Sequence, residues 1–163
     1  YLGEPAAFTD DTAQTTAGYT SEIRTEEPGF IAGETADISE VLVTMVAIKE
    51  SLGNEYWNPQ TGFVYLICEF EIINNSEAEI NISSILSFET HVGGKKRNLS
   101  LMAGVTNDIV TADGTVLPGE TLHGSVGYEV PESWKKAEIR FSPDMRNKNS
   151  ALFRVEKAQL VSR

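Results

Sequence analysis

The chain has 163 residues, 40% of them hydrophobic, which suffices for one buried core plus an appendage. A formal net charge of −11 and a pI near 4.6 argue against nucleic acid, whose phosphates need a basic footprint, and against docking on anionic lipid. No apolar run approaches the roughly 18–20 residues of a membrane span, and Cys68, the only cysteine, excludes a disulfide-stapled framework.

In chain order, the acidity comes first. Residues 1–37 hold eight acids against Arg24 alone, a balance of −7, and the remainder contributes only −4. Residues 1–27 read as an acidic Thr/Ala-rich arm or linker without periodicity, and residues 28–163 as the folded domain. Part of the arm, around Tyr19–Arg24, is expected to lie along a sheet edge as an added strand. The opening at Tyr1, without an initiator methionine, reads as a mature or trimmed product.

Pro28-Gly29 and Gly33-Glu34 mark turns around a short edge strand at Thr35–Ile38. Glu40–Glu50 follows as a strand apolar on both faces in its middle, as a central strand would be. Residues 51–62 form a loop. Then Val64, Leu66, Cys68, Phe70 and Ile72 make an unbroken apolar row opposite Glu69 and Glu71, and Asn74-Asn75 ends the strand. Ile80–Thr90 is predicted as one strand with Ile80, Ile82, Leu86 and Phe88 inward. Gly93-Gly94 turns the chain into a weaker strand, Lys95–Met102.

Residues 104–119 read as loop. Glu120–Val130 alternates with Leu122, Val126, Tyr128 and Val130 inward, and His123, Ser125 and Glu129 outward, until Pro131 stops it. Ala137-Ile139-Phe141 and Leu152–Glu156 supply the closing strands. No helix longer than a turn is expected, with Glu132–Lys136 able to make one. Seven or eight strands at regular spacing predict an all-β fold, an antiparallel β-sandwich with an extended N-terminal arm.

Several of these pieces stand in a characteristic order along the chain. They are Gly33-Glu34-Thr35, Gly62-Phe63-Val64-Tyr65 leading to Ile72-Ile73-Asn74-Asn75-Ser76, and Glu79-Ile80-Asn81-Ile82-Ser83-Ser84. Leu117-Pro118-Gly119-Glu120, Gly124-Ser125-Val126-Gly127-Tyr128-Glu129-Val130-Pro131 and Glu138-Ile139-Arg140-Phe141-Ser142-Pro143 complete the set. Over about residues 28–157 the order resembles the bacterial DUF4352 domains. These are immunoglobulin-like modules often found on Gram-positive lipoproteins, related in fold to the mycobacterial secreted antigen MPT63. The resemblance implies an immunoglobulin-like sandwich and an extracytoplasmic place, secreted or membrane-anchored at the bacterial cell surface. It brings no catalytic residues with it. Members commonly carry a lipid-attachment cysteine near the start, and this sequence has none there.

The chemistry-bearing residues point away from catalysis. His91 and His123 lie far apart without ligand partners at zinc spacing. His123-Gly124-Ser125-Val126-Gly127 faintly matches a nucleophile elbow but lacks its first glycine and sits mid-strand, so a serine hydrolase is only a remote alternative. Asn107-Asp108 and Asp113-Gly114 offer oxygens for calcium, although Asx residues in loops are more often turn formers. Asn74, Asn81 and Asn98 fit the glycosylation sequon and read as turn and strand residues. Lys95-Lys96-Arg97 reads as a solvated hairpin tip that blunts edge pairing, and Cys68 as a structural thiol. No catalytic, metal or cofactor-binding residue is assigned.

Tyr56, Trp57 and Asn58 form the candidate partner-binding site: two large aromatics in a Gly/Asn/Pro loop either fold back on the core or meet a partner. The expected function is a non-enzymatic extracytoplasmic binding or adhesion module, its partner a protein or cell-envelope component. The alternative is a structural spacer or homo-oligomerisation domain that uses the N-terminal arm as an interchain strand.

Overall fold

In the computed structural model, which describes residues 29–144 and 149–160, two antiparallel four-stranded sheets face each other. The first has the order β1 (Thr35–Ile38), β2 (Val41–Ser51), β3 (Phe63–Asn74), β8 (Thr121–Pro131). The second has the order β10 (Ala151–Glu156), β9 (Lys136–Phe141), β5 (Phe88–Val92), β6 (Lys95–Arg97), and β4 (Ile80–Ile82) pairs with β7 (Gly114–Val116) as a separate ribbon. Seven of these strands have four residues or more, and β4, β6 and β7 have three each. Helix α1 (Leu101–Asn107) connects β6 to β7, and a 3-10 turn (Lys157–Leu160) follows β10. The arm of residues 1–27, with the strand expected around Tyr19–Arg24, lies outside the described residues.

The alternating row of β3 builds the core. Val64, Leu66, Cys68, Phe70 and Ile72 are all buried, and Phe70 joins the layers by meeting Phe88 at 5.0 Å and Phe153 at 5.5 Å between ring centroids. Phe88 in turn meets Phe141 at 5.1 Å. These tilted and edge-on contacts suit the ring quadrupoles better than face-to-face stacking would. β2 is a central strand, as its two-sided apolarity predicts, but a bulge between Met45 and Ala47 shifts the register, so that Val46 and Ala47 are both exposed and Ile48 returns opposite Cys68.

The predicted strand Ile80–Thr90 is broken in two. Ser83 Oγ accepts the N–H groups of Ile85 and Leu86, and Ser83 N–H donates to Ser87 Oγ. Serine side chains thus replace ladder partners and fold residues 83–87 into a turn. Ser87 is buried, and Leu86, expected inward, points to solvent.

The predicted strand Lys95–Met102 stops at Arg97, and the absence of any helix longer than a turn is also corrected. Ser100 Oγ accepts the Ala103 N–H and starts the seven-residue α1, which Asp108 closes in the left-handed conformation. A second small core explains the helix. Tyr65 and Ile67 stand on the outer face of β3, and Ala103 of α1 covers them. Gly127 of β8 permits this approach, because a Cβ there would lie 2.7 Å from the Ala103 methyl. Burial, and then the nearby Glu129 charge, raise the Tyr65 hydroxyl pKa above its usual value.

Candidate functional site

Residues 52–62 carry the chain from β2 to β3, and local hydrogen bonds fix their shape. Asn54 Oδ1 accepts the N–H groups of Tyr56 and Trp57, both at 2.9 Å, while Asn54 N–H donates to the Trp57 carbonyl at 3.0 Å. Asn58 Nδ2 donates to the Asn54 carbonyl, so Asn58 belongs to the scaffold of the loop. Gly53 has φ +85°, and a Cβ there would collide with the Trp57 carbonyl. At the far end, Gln60 N–H donates to Glu129 Oε2 at 2.8 Å, which ties the loop to β8.

The rings of this ordered loop point outward. Tyr56 is 75% exposed and Trp57 is 55% exposed. Asn54 is the residue that sequence reasoning did not single out: its amide does in miniature what a backbone turn does, and Asx-turn chemistry two residues ahead of Tyr56 was the available signal. Two amphipathic rings on a loop whose conformational entropy is already spent can stack on a partner at little further ordering cost. The other tryptophan, Trp134, is buried and donates from Nε1 to Glu50 Oε2 at 2.6 Å.

The remaining sites named from sequence are dispersed. His123 lies 3.7 Å from Glu71 on exposed surface, and His91 is on β5 in the other sheet. Ser125, expected outward and in water, is buried. Residues 110–112 run along it, with its N–H donating to Val110 and its carbonyl accepting from Ala112. The cavities described below are lined by neither Ser125 nor a histidine. Burial pushes the Cys68 thiol up to about 12, so it stays protonated at neutral pH.

The oxygens weighed for calcium serve the fold. Asn107 donates to the Ala103 carbonyl, Asp108 caps α1, and Asp113 accepts both the N–H and the hydroxyl of Ser84. Among the described residues no three His, Cys, Asp or Glu side chains cluster as metal ligands would. Asn74 is fully buried and donates to the carbonyls of Ala78 and Val116, so it is a structural staple and no glycan acceptor. No helix among the described residues is long and apolar enough to cross a membrane.

Comparison with known proteins gives a family and a fold. The family model of DUF4352, described as a domain of unknown function, matches residues 30–151. Among solved structures, the chain is similar to ycdA of Bacillus subtilis, a candidate lipoprotein, with TM-score 0.63 and 15% identity over 77% of this chain. It spans only 38% of ycdA. It is also similar to yjhA of Bacillus subtilis, with TM-score 0.60 and 16% identity, covering 78% of this chain and 99% of yjhA. A third is an uncharacterised β-sandwich protein of Clostridium difficile, with TM-score 0.52 and 17% identity, covering 80% and 97% of the two chains. A search among curated proteins found no match.

Proposed function

This chain belongs to the DUF4352 family, and from that premise we propose that it is a non-enzymatic binding module of the bacterial envelope, held outside the cytoplasm. The loop of Tyr56 and Trp57 is its contact surface, and the partner is a protein or another envelope component. The observation that carries this reading is the pairing of exposure with order: the two rings face water while Asn54 fixes the backbone beneath them. Aromatic anchors of this kind are enriched at binding hot spots. The likeness to ycdA, a candidate lipoprotein, supports the location.

The test is retention on purified cell envelopes. Tyr56→Ala with Trp57→Ala is expected to lower retention at least tenfold, since each hot-spot ring carries roughly 1–2 kcal/mol, with no change in thermal midpoint. Equal retention by the double variant would dispose of the reading. Trp57 also reports directly, because its emission should shift to the blue on binding while buried Trp134 stays constant.

A second reading is a homo-oligomer strapped by the N-terminal arm, and Phe30, just after the arm, shows that a sheet edge accepts added backbone within one chain. This residue bridges in parallel to Phe153 on the edge of the second sheet, with Phe30 N–H donating to Leu152 and Arg154 N–H to Phe30. Solution mass with and without residues 1–27 separates the two readings.

A further inference from the structure

A groove runs along the edge of the sandwich where β6 and β8 leave the two sheets open. Three cavities sharing walls make it up. The first, 370 Å³, has Lys96, Arg140 and Glu89 among its lining, together with Ile85 and Leu86. The middle one, 480 Å³, keeps Ile85, Leu86 and Lys96 and adds Arg97, Leu99 and Leu101, with Tyr128 also in its wall. The third, 420 Å³, keeps Leu99 and Leu101 and adds Val105 and Ile109, with Asp108 also in its wall. Polarity therefore changes along the groove, from an end where Lys96 and Arg140 outnumber Glu89 to a mainly apolar end whose one charged wall residue is Asp108. Four of the wall residues are large apolar side chains left in water: Leu101 is 71% exposed, Val105 68%, Ile85 66% and Leu86 62%. Residues 85 and 86 are held out on the turn fixed by Ser83, whose neighbour Ser84 is bound to Asp113.

The cations are unusual for this molecule. On a chain of net charge −11, Lys96 and Arg97 line the wide part of the groove from opposite faces of β6, with Glu89 3.6 Å from Lys96. Arg97 lies over the Phe63 ring at 6.0 Å, and its Nε is buried without a hydrogen-bond partner. A buried donor of that kind gains most from an anion.

We propose that this groove binds a single-chain amphipathic anion of the fatty-acid class. Its carboxylate sits at Arg97, and its hydrocarbon chain lies along Leu99, Leu101 and Val105. The observation behind it is the juxtaposition of an arginine whose Nε lacks a partner with an exposed, mainly apolar channel. The size falls within the range of small-molecule sites. A peptide strand is disfavoured because the β8 edge is already occupied: the Ser125 N–H donates to Val110, and the Gly127 carbonyl accepts from Ser100. A bilayer surface is disfavoured because an anionic membrane repels so acidic a chain. The ligand is thus a monomer taken from solution.

The probe is dodecanoate below its micelle concentration, titrated into the full chain and followed by calorimetry and amide NMR shifts. Saturable binding is expected, with shifts centred on β6 and α1. Affinity should fall about fourfold for each methylene removed from the chain, the upper range for burying a CH₂. Dodecyltrimethylammonium, with the opposite head charge, should not bind. Leu101→Glu and Val105→Glu, at exposed positions that leave folding intact, should each weaken binding at least tenfold. Arg97→Gln should weaken it and reduce the preference for an anionic head, with the thermal midpoint checked in parallel. Tyr56→Ala with Trp57→Ala should bind dodecanoate normally, so this proposal and the envelope reading fail separately. Absence of saturable binding, equal binding of the cationic detergent, or wild-type affinity in both glutamate variants would overturn the proposal. So would binding confined to phosphatidylglycerol vesicles or to an acidic apolar peptide.

Discussion

Asp113 is a surface carboxylate whose oxygens are both committed to Ser84: it accepts the Ser84 N–H at 2.7 Å and the hydroxyl at 2.9 and 3.1 Å. Partial burial pushes its pKa up, but hydrogen bonds from the Ser84 N–H and from the hydroxyls of Thr111 and Ser84 outweigh this and hold it below the ordinary 3.8. The sign of the pH dependence follows. A carboxyl with a lower pKa folded than unfolded stabilises fully above the unfolded value and loses that contribution as pH falls through the folded one. Asp113→Asn should therefore lower the urea midpoint by a constant amount above about pH 5, with the gap to wild type closing below pH 3.8. A gap that widens on acidification would refute the assignment. At this scale the sequence was only partly readable. Asn74-Asn75-Ser76 announced a turn, but the demand that buries Asn74 comes from Val116, 42 residues away. No local pattern reveals such a partner.

The β1–β2 hairpin turns on Ser39 and Glu40, both with positive φ, 53° and 76°. A two-residue turn of this hand favours Asn-Gly, and a side chain in the left-handed region costs roughly 1–2 kcal/mol. Glu40 contributes through its backbone, donating to Asp37 Oδ1 and accepting from Asn75. Glu40→Gly keeps both bonds and relieves the strain, less the entropy that glycine adds to the unfolded chain. Chemical denaturation should show a gain of about 0.5–1 kcal/mol, and a loss would mean that the turn is not strained. Elements were legible wherever period-two alternation ran unopposed, as in β3, β8 and β9. They were misread where side chains compete with the backbone. Ser83 and Ser87 interrupt a convincing alternation, and Ser100 starts α1 in a stretch of seven residues, too short to show a helical period. The hidden signal for α1 lay elsewhere, in Tyr65 and Ile67, apolar residues on the same strand face as Glu69 and Glu71.

At the scale of the molecule, the two-layer architecture followed from composition and alternation, because apolar rows on successive strands have no other way to leave water together. The candidate contact loop was visible because Tyr and Trp between Gly, Asn and Pro are conspicuous. The groove was not, since its walls come from four separate segments that only folding brings side by side. Cys68, shut between the sheets and protonated at neutral pH, has one more implication. As the chain's single thiol, it makes the protein its own clock for global opening. An alkylating reagent at pH 8 should leave the native protein unmodified and react only with molecules whose layers have separated, at a rate that tracks the free energy of unfolding. Rapid labelling without denaturant would mean that the layers part locally around β3. Slow labelling would provide a stability assay that needs neither dye nor substitution.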